Sequence, residues 1–206
     1  METIKIVLFD YDGVMTLDKS GTESICNYIS RNIGIEYEIF ENEYRKYNID
    51  LNCGKITHKE IWNQLCININ MSIPISILYD SFNNTPIDKS MHEFVLKIKD
   101  RKIKTGLITD NKVDRMEYIK KKFDLNTYFD IITVSGELGY GKESEKIFIE
   151  TLKNLKIKPG ESIFIDNQEK NLVIPNRLGI NTIYYNDKVR NLLELKNEIK
   201  KYGIDI

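Results

Sequence analysis

The chain has 206 residues, 41% of them hydrophobic, with 30 Lys and Arg against 31 Asp and Glu for a net charge of −1. That length supports one sizeable core, or one core with a small accessory domain, and the balanced charge gives no electrostatic case for a nucleic-acid partner or an anionic membrane. No apolar run approaches the roughly 18–20 residues that cross a bilayer, and Cys26, Cys53 and Cys66 lack a C-x-x-C spacing.

Met1 leads almost directly into an apolar run, Ile4 to Phe9, without a signal-peptide pattern, so a cytoplasmic protein with reduced thiols is expected. The run reads as a buried strand of a parallel sheet. It ends in Asp10-Tyr11-Asp12-Gly13-Val14. Two carboxylates two residues apart share one direction while the strand geometry persists, and Gly13 allows a sharp turn out of the sheet. Calcium loops also begin D-x-D. Here Ser20 and Gly21 stand where later ligands belong, and no glutamate closes the loop.

The period then changes to that of helices. Ile25, Tyr28, Ile29 and Ile33 recur at helical spacing, as do Tyr37, Phe40, Tyr44 and Tyr47. Ile61, Trp62, Leu65, Cys66 and Ile69 share a third face, with Thr57 and Glu60 as a capping box at its start. Ile75, Leu78, Tyr79 and Phe82 mark a fourth. The tyrosine stripe reads as core, and His58 and His92 are expected on helix surfaces or caps, since neither has metal-ligand spacing. Residues 17–84 are therefore expected to form a small all-helical cap, returning at Thr85-Pro86, where the residue before proline resists the helix.

Strand and helix alternate from Ile87 onward. Strands are expected at Ile103–Ile108, Ile131–Val134, Ile163–Ile165 and Thr182–Tyr185. Helical faces run through Met91 to Ile98, Val113 to Phe123, Ile147 to Leu155, and Val189, Leu192, Leu193 and Ile199. Alternation of this kind predicts an α/β fold, a doubly wound parallel sheet built from residues 1–16 and 85–206. Such sheets bind ligands at the carboxyl ends of their strands. Pro175 falls within the helix expected after Asp166 and should kink it or shift its start.

Four segments stand at those strand ends or in the loops beyond them: Asp10-Tyr11-Asp12-Gly13-Val14; Gly106-Leu107-Ile108-Thr109; Lys142 after Tyr140-Gly141; and Ile163-Phe164-Ile165-Asp166-Asn167 with Asn171. Together, in this order over essentially the whole chain, they resemble the haloacid dehalogenase-like superfamily of phosphohydrolases. The resemblance implies a Rossmann-like core with a cap inserted after the first segment. It implies Asp10 as nucleophile, forming an aspartyl-phosphate, and Asp12 as acid and base. Thr109 and Lys142 would hold the phosphoryl oxygens, with Asp110 beside them. Mg2+ would be held by Asp10, Asp166 or Asn167, and the main-chain carbonyl of Asp12. The second segment departs from the family pattern in carrying Asp110 in place of Asn, and the fourth in carrying Asn167 in place of a second acid. The loss of one negative charge at Asn167 predicts weaker metal binding.

The expected function is a magnesium-dependent phosphatase of a small phosphorylated metabolite. A phosphomutase would use the same aspartyl-phosphate. A non-catalytic phospho-ligand-binding or regulatory module would carry a site weakened at Asn167 and Asp110. A haloacid dehalogenase has no use for Asp12 or for a metal. Thr109, Asp110 and Asn111 are also good helix N-caps, a role compatible with phosphate binding. Substrate identity and oligomeric state are not written in the sequence.

Overall fold

Each apolar run that closes on a turn becomes a strand in the computed structural model, which describes residues 2–206. The strands are β1 (Ile6–Phe9), β2 (Lys104–Thr109), β3 (Ile131–Val134), β4 (Ser162–Asp166) and β5 (Asn181–Tyr184). They form one parallel sheet in the order β3-β2-β1-β4-β5. The chain builds outward from β1 on one side, then crosses back to lay β4 on the other. Strand order therefore reverses between β1 and β4, and a crevice opens at their carboxyl ends. Phe9 pairs with Ile165 across that boundary, and the Asp10 N–H donates to the Ile165 carbonyl at 2.8 Å. One residue further on, Asp10 and Asp166 stand level at the mouth of the crevice.

Strand alternation divides the core. Val7 and Phe9 pack with Leu107, Ile163 and Ile165 on one face, while Ile6 and Leu8 pack with Ile108 and Phe164 on the other. Both faces of the sheet are covered, as its uniformly apolar strands require.

Five helices follow β1: α1 (Gly21–Ile33), α2 (Tyr37–Arg45), α3 (Asn48–Asn52), α4 (His58–Asn68) and α5 (Ile75–Asn83). They enclose their own apolar cluster around Phe40, Tyr44, Trp62, Leu65 and Phe82. Local signals set their ends. Ser20 caps α1 by accepting the Glu23 N–H, and Thr57 and Glu60 form a reciprocal capping box on α4, each such cap being worth about 1 kcal/mol. The short α3 has too few residues to show a period. The two segments joining this bundle to the sheet pair with each other: Thr16 bridges Ile87, the Leu17 N–H donates to the Pro86 carbonyl at 2.8 Å, and the Asp88 N–H to the Met15 carbonyl at 2.9 Å.

The remainder comprises α6 (Lys89–Asp100), α7 (Val113–Lys122), α8 (Leu125–Tyr128), α9 (Ser135–Leu138), α10 (Glu145–Leu155), α11 (Glu169–Arg177) and α12 (Leu192–Lys200). Three sequence expectations change here. His58 and His92 are buried, not on helix surfaces; His58 bonds Tyr44 and Asp114, and the Nδ1 of His92 lies 2.8 Å from the Asp88 carbonyl. In α12 the Asn191 cap sets the phase so that Leu195 and Ile199 are buried while Val189 and Leu193 face solvent. Finally, α11 begins at Glu169 and runs through Pro175, ending at Arg177. A proline this close to the helix end removes one of its last hydrogen bonds.

Candidate active site

The carboxyl ends of β1, β2 and β4 converge on a cavity of ≈ 230 Å³. Asp10, Asp12, Thr109 and Lys142 line it from the sheet, and Thr22 and Asn48 from the cap. Lys142 lines it from between two carboxylates. Its Nζ lies 2.8 Å from Asp10 Oδ1 and 2.7 Å from Asp166 Oδ2. All three side chains are buried. Burial opposes the charge on Lys142, but the carboxylates of Asp10, Asp166 and Asp110 hold its ammonium ionised well above the ordinary range. Burial, aided by the Asp166 charge, pushes the Asp10 carboxyl well above its usual value against the pull of Lys142.

The fourth segment is tied down by its own loop. Asp166 Oδ1 accepts the Gln168 N–H at 2.7 Å, and Asn171 Nδ2 donates to both Asp166 oxygens at 3.1 Å. Thr109 ends β2 with its hydroxyl beside the Asn111 amide. The residue capping α7 is Lys112, so neither Thr109, Asp110 nor Asn111 occupies the N-cap. Asp110, expected against the phosphate, instead accepts the main-chain N–H of Lys142 at 2.9 Å. An ionised carboxylate only accepts hydrogen bonds, and here it braces the lysine loop.

Asp12 is held by a residue that the sequence did not single out. Arg115, in the first turn of α7 and fully buried, donates from both Nη atoms to the two Asp12 oxygens at 2.8 Å. Asn111 Nδ2 donates to the same carboxylate at 2.8 Å. Gly21 makes room for the pair, since a Cβ there would lie 2.4 Å from Arg115 Nη1. Arg115 follows Val113 and Asp114 on a helix whose apolar period runs elsewhere, so sequence gave no signal for it. Arg190 was missed as well. It reaches back to the carbonyls of Gly13 and Val14 at 3.0 Å and to Asp88 at 2.6 Å, clasping the turn after β1 to the return segment.

The donor chemistry suits a hard cation. The described residues hold no group of three or more His, Cys, Asp or Glu side chains arranged as a metal site. A cation here must draw on amide or main-chain oxygen beside the carboxylates of Asp10 and Asp166. Asn167 offers one: its Oδ1 is buried and receives no hydrogen bond, while its Nδ2 is turned to Asp187 at 3.2 Å. An all-oxygen set of this kind fits magnesium.

Comparison with known proteins bears on the family and the fold. A sequence model described as haloacid dehalogenase-like hydrolase matches residues 4–172. The glyceraldehyde 3-phosphate phosphatase of Pyrococcus furiosus is 30% identical over 111 residues, 53% of this chain and 45% of that protein. The chain spans less than half the length of the first curated relatives it matches. Among solved structures, a superfamily enzyme from Bacteroides thetaiotaomicron, crystallised as an aspartate-to-alanine mutant with magnesium and inorganic phosphate, is 23% identical. The likeness covers 89% of this chain and 95% of that one with a TM-score of 0.71. The L-2-haloacid dehalogenase of Xanthobacter autotrophicus is 13% identical, with 93% and 83% covered and a TM-score of 0.66. Likeness at these identities speaks for the fold alone, which phosphatases and dehalogenases share.

Proposed function

This chain belongs to the haloacid dehalogenase-like hydrolases, and from that premise we propose that it is a magnesium-dependent phosphatase acting on a small phosphorylated metabolite. The observation that carries the reading is Lys142, buried between Asp10 and Asp166 in a cavity that Asp12 and Thr109 also line. A dehalogenase would need the first carboxylate alone. The second, Asp12, is useful where an oxygen leaving group must receive a proton.

In this reading Asp10 attacks phosphorus in line and forms an aspartyl-phosphate, replacing one difficult hydrolysis by two easier steps. Lys142 and the Thr109 hydroxyl hold the phosphoryl oxygens, and the lysine charge meets the negative charge spread over them in the transition state. Asp12 protonates the leaving oxygen and then takes a proton from the attacking water. Its bonds to Arg115 and Asn111 fix the carboxylate's position and leave one lone pair on Oδ1 for the proton. Asp110 aligns Lys142 through its main chain. Asp10, Asp166, the Asp12 carbonyl and Asn167 Oδ1 would hold Mg2+, which when bound offsets the repulsion between the carboxylates and the phosphate.

The test is turnover of para-nitrophenyl phosphate. Activity is expected with magnesium, to vanish with excess chelator, and to fall by on the order of 10⁴-fold or more in a folded Asp10→Asn variant. Full activity in chelator, or near-normal activity in the variant, overturns the assignment.

A further inference from the structure

We propose that Lys112, its ammonium positioned by the Thr22 hydroxyl, forms a subsite for a second anionic group on the substrate's leaving portion, a carboxylate or a second phosphate. The proposal rests on the phosphatase reading and names the substrate class within it. Five cationic side chains line the cavity, and Lys19, Arg45 and Lys170 among them are solvent-exposed. Only Lys112 and Lys142 are buried, at 3% and 2% exposure.

The two buried ammonium groups differ in what faces them. Lys142 meets two carboxylates within 2.8 Å. Lys112 meets none within salt-bridge range among the described residues. Its one hydrogen bond runs to Thr22 Oγ1 at 3.3 Å, and the Tyr44 ring centroid lies 5.8 Å away. The neighbouring carboxylates are hydrogen-bonded elsewhere, Asp12 to the Arg115 guanidinium and Asp114 to the His58 ring, and neither reaches the ammonium. Arg115 is itself a like charge, and Cys26, the remaining titratable neighbour, carries a thiol that burial keeps protonated. Thr22 in turn donates to Asn48 Oδ1 at 2.9 Å, which holds the hydroxyl in place.

A buried ammonium with two unused donors and no counter-ion costs stability. That cost is offset once an anion enters the cavity, because Lys112 lines the same space as Asp10. A phosphate monoester engaging Asp10 and Lys142 would direct its leaving portion toward the cap. Uncharged leaving groups would leave Lys112 unneutralised, so the site should select against them.

Two matched pairs of esters test this: phosphoglycolate against ethyl phosphate, and ethylene glycol bisphosphate against ethylene glycol monophosphate. The enzyme with magnesium is expected to favour at least one dianionic-plus-anionic member by on the order of 10- to 100-fold in kcat/KM. Preference in the first pair alone assigns a carboxylate, and in the second a phosphate. In Lys112→Met the ratio within the preferred pair should fall toward one, and the protective thermal shift given by phosphoglycolate or the bisphosphate should shrink with it. Equal kcat/KM within both pairs in the wild-type enzyme, alongside turnover of para-nitrophenyl phosphate, overturns the subsite and leaves the phosphatase reading standing. A preference that survives intact in Lys112→Met also overturns it. Failure on every phosphate ester is instead the failure of the phosphatase reading.

Discussion

At the scale of single residues, the two ionic arrangements around Asp12 and Lys112 pull stability in opposite directions. Arg115 and Asp12 are both buried and joined by two hydrogen bonds. Removing one partner of such a pair strands the other charge. Arg115→Met should therefore lose about 3 kcal/mol of unfolding free energy in urea titration, and adding Asp12→Asn should recover part of that loss. A variant as stable as the wild type would mean that the pair is not formed in solution.

Lys112 is the reverse case. Burial and the nearby Arg115 lower its ammonium from the ordinary 10.5 to about 8. The folded state thus sheds this proton more readily than the unfolded chain. Between about 8 and 10.5 the unfolded state binds more protons, so this residue's contribution to stability rises with pH through that window. It is fully present above 10.5 and is lost as pH falls through about 8. At neutral pH the charge is carried at a cost of about 3 kcal/mol. Lys112→Met should accordingly be more stable than the wild type near pH 7, with the difference narrowing from about pH 8 and closing only above 10.5. Denaturation midpoints of both proteins across this range check it, and a constant difference would rule out the titration.

Among the elements, α7 does most to join cap to core. Asp114 on its first turn takes His58 Nδ1 at 2.8 Å from both oxygens, and the other ring nitrogen lies 2.6 Å from the Tyr44 hydroxyl. Burial lowers the His58 pKa while Asp114 raises it, the first prevailing. A neutral ring with its proton on Nδ1 satisfies both neighbours: it donates to Asp114 and accepts from Tyr44. One helical turn further on, Tyr118 stacks on Tyr79 at 5.1 Å and meets Phe82 edge-on at 5.7 Å. Asp114→Asn keeps the shape but weakens a charge-assisted bond, at a cost of about 1–2 kcal/mol. Amide exchange should then quicken in α4 and α5 while β1 and β4 keep their protection. Uniform acceleration across the sheet would place this contact within the global core.

For the molecule as a whole, the cap has its own apolar cluster and joins the sheet through two paired segments at Thr16 and Ile87. Two adjacent crossings make a hinge mechanically simple. Arg190 braces it from the far side through Gly13, Val14 and Asp88. The cavity draws walls from both parts, so a movement of the cap would change access to it. Magnesium with orthovanadate should slow amide exchange at α1 and the Asn52 loop, whose carbonyl receives the Ser135 hydroxyl at 2.7 Å. Exchange unchanged by the ligand, together with unchanged solution scattering, would make the cap a fixed wall.

Local chemistry was readable before folding. Strand runs, helical periods, the Thr57–Glu60 box and the change of period after Gly13 depend on neighbours within a few residues. The order of strand and helix then leaves few ways to wind a sheet, so Asp10, Thr109 and Asp166 could be assigned to strand ends and one crevice. What needed the tertiary structure were pairings across long stretches of chain. Arg115 finds Asp12 103 residues away and Arg190 finds Asp88 at 102. Asp110 turns to the Lys142 main chain 32 residues on. His58 read as a surface or cap residue; it does open α4, but it is buried because its partner, Asp114, lies 56 residues further along in the core. Lys112 carried no signal in the sequence for the same reason: whether an ammonium is buried without a counter-ion depends on which side chains arrive around it, and no spacing in the sequence records that.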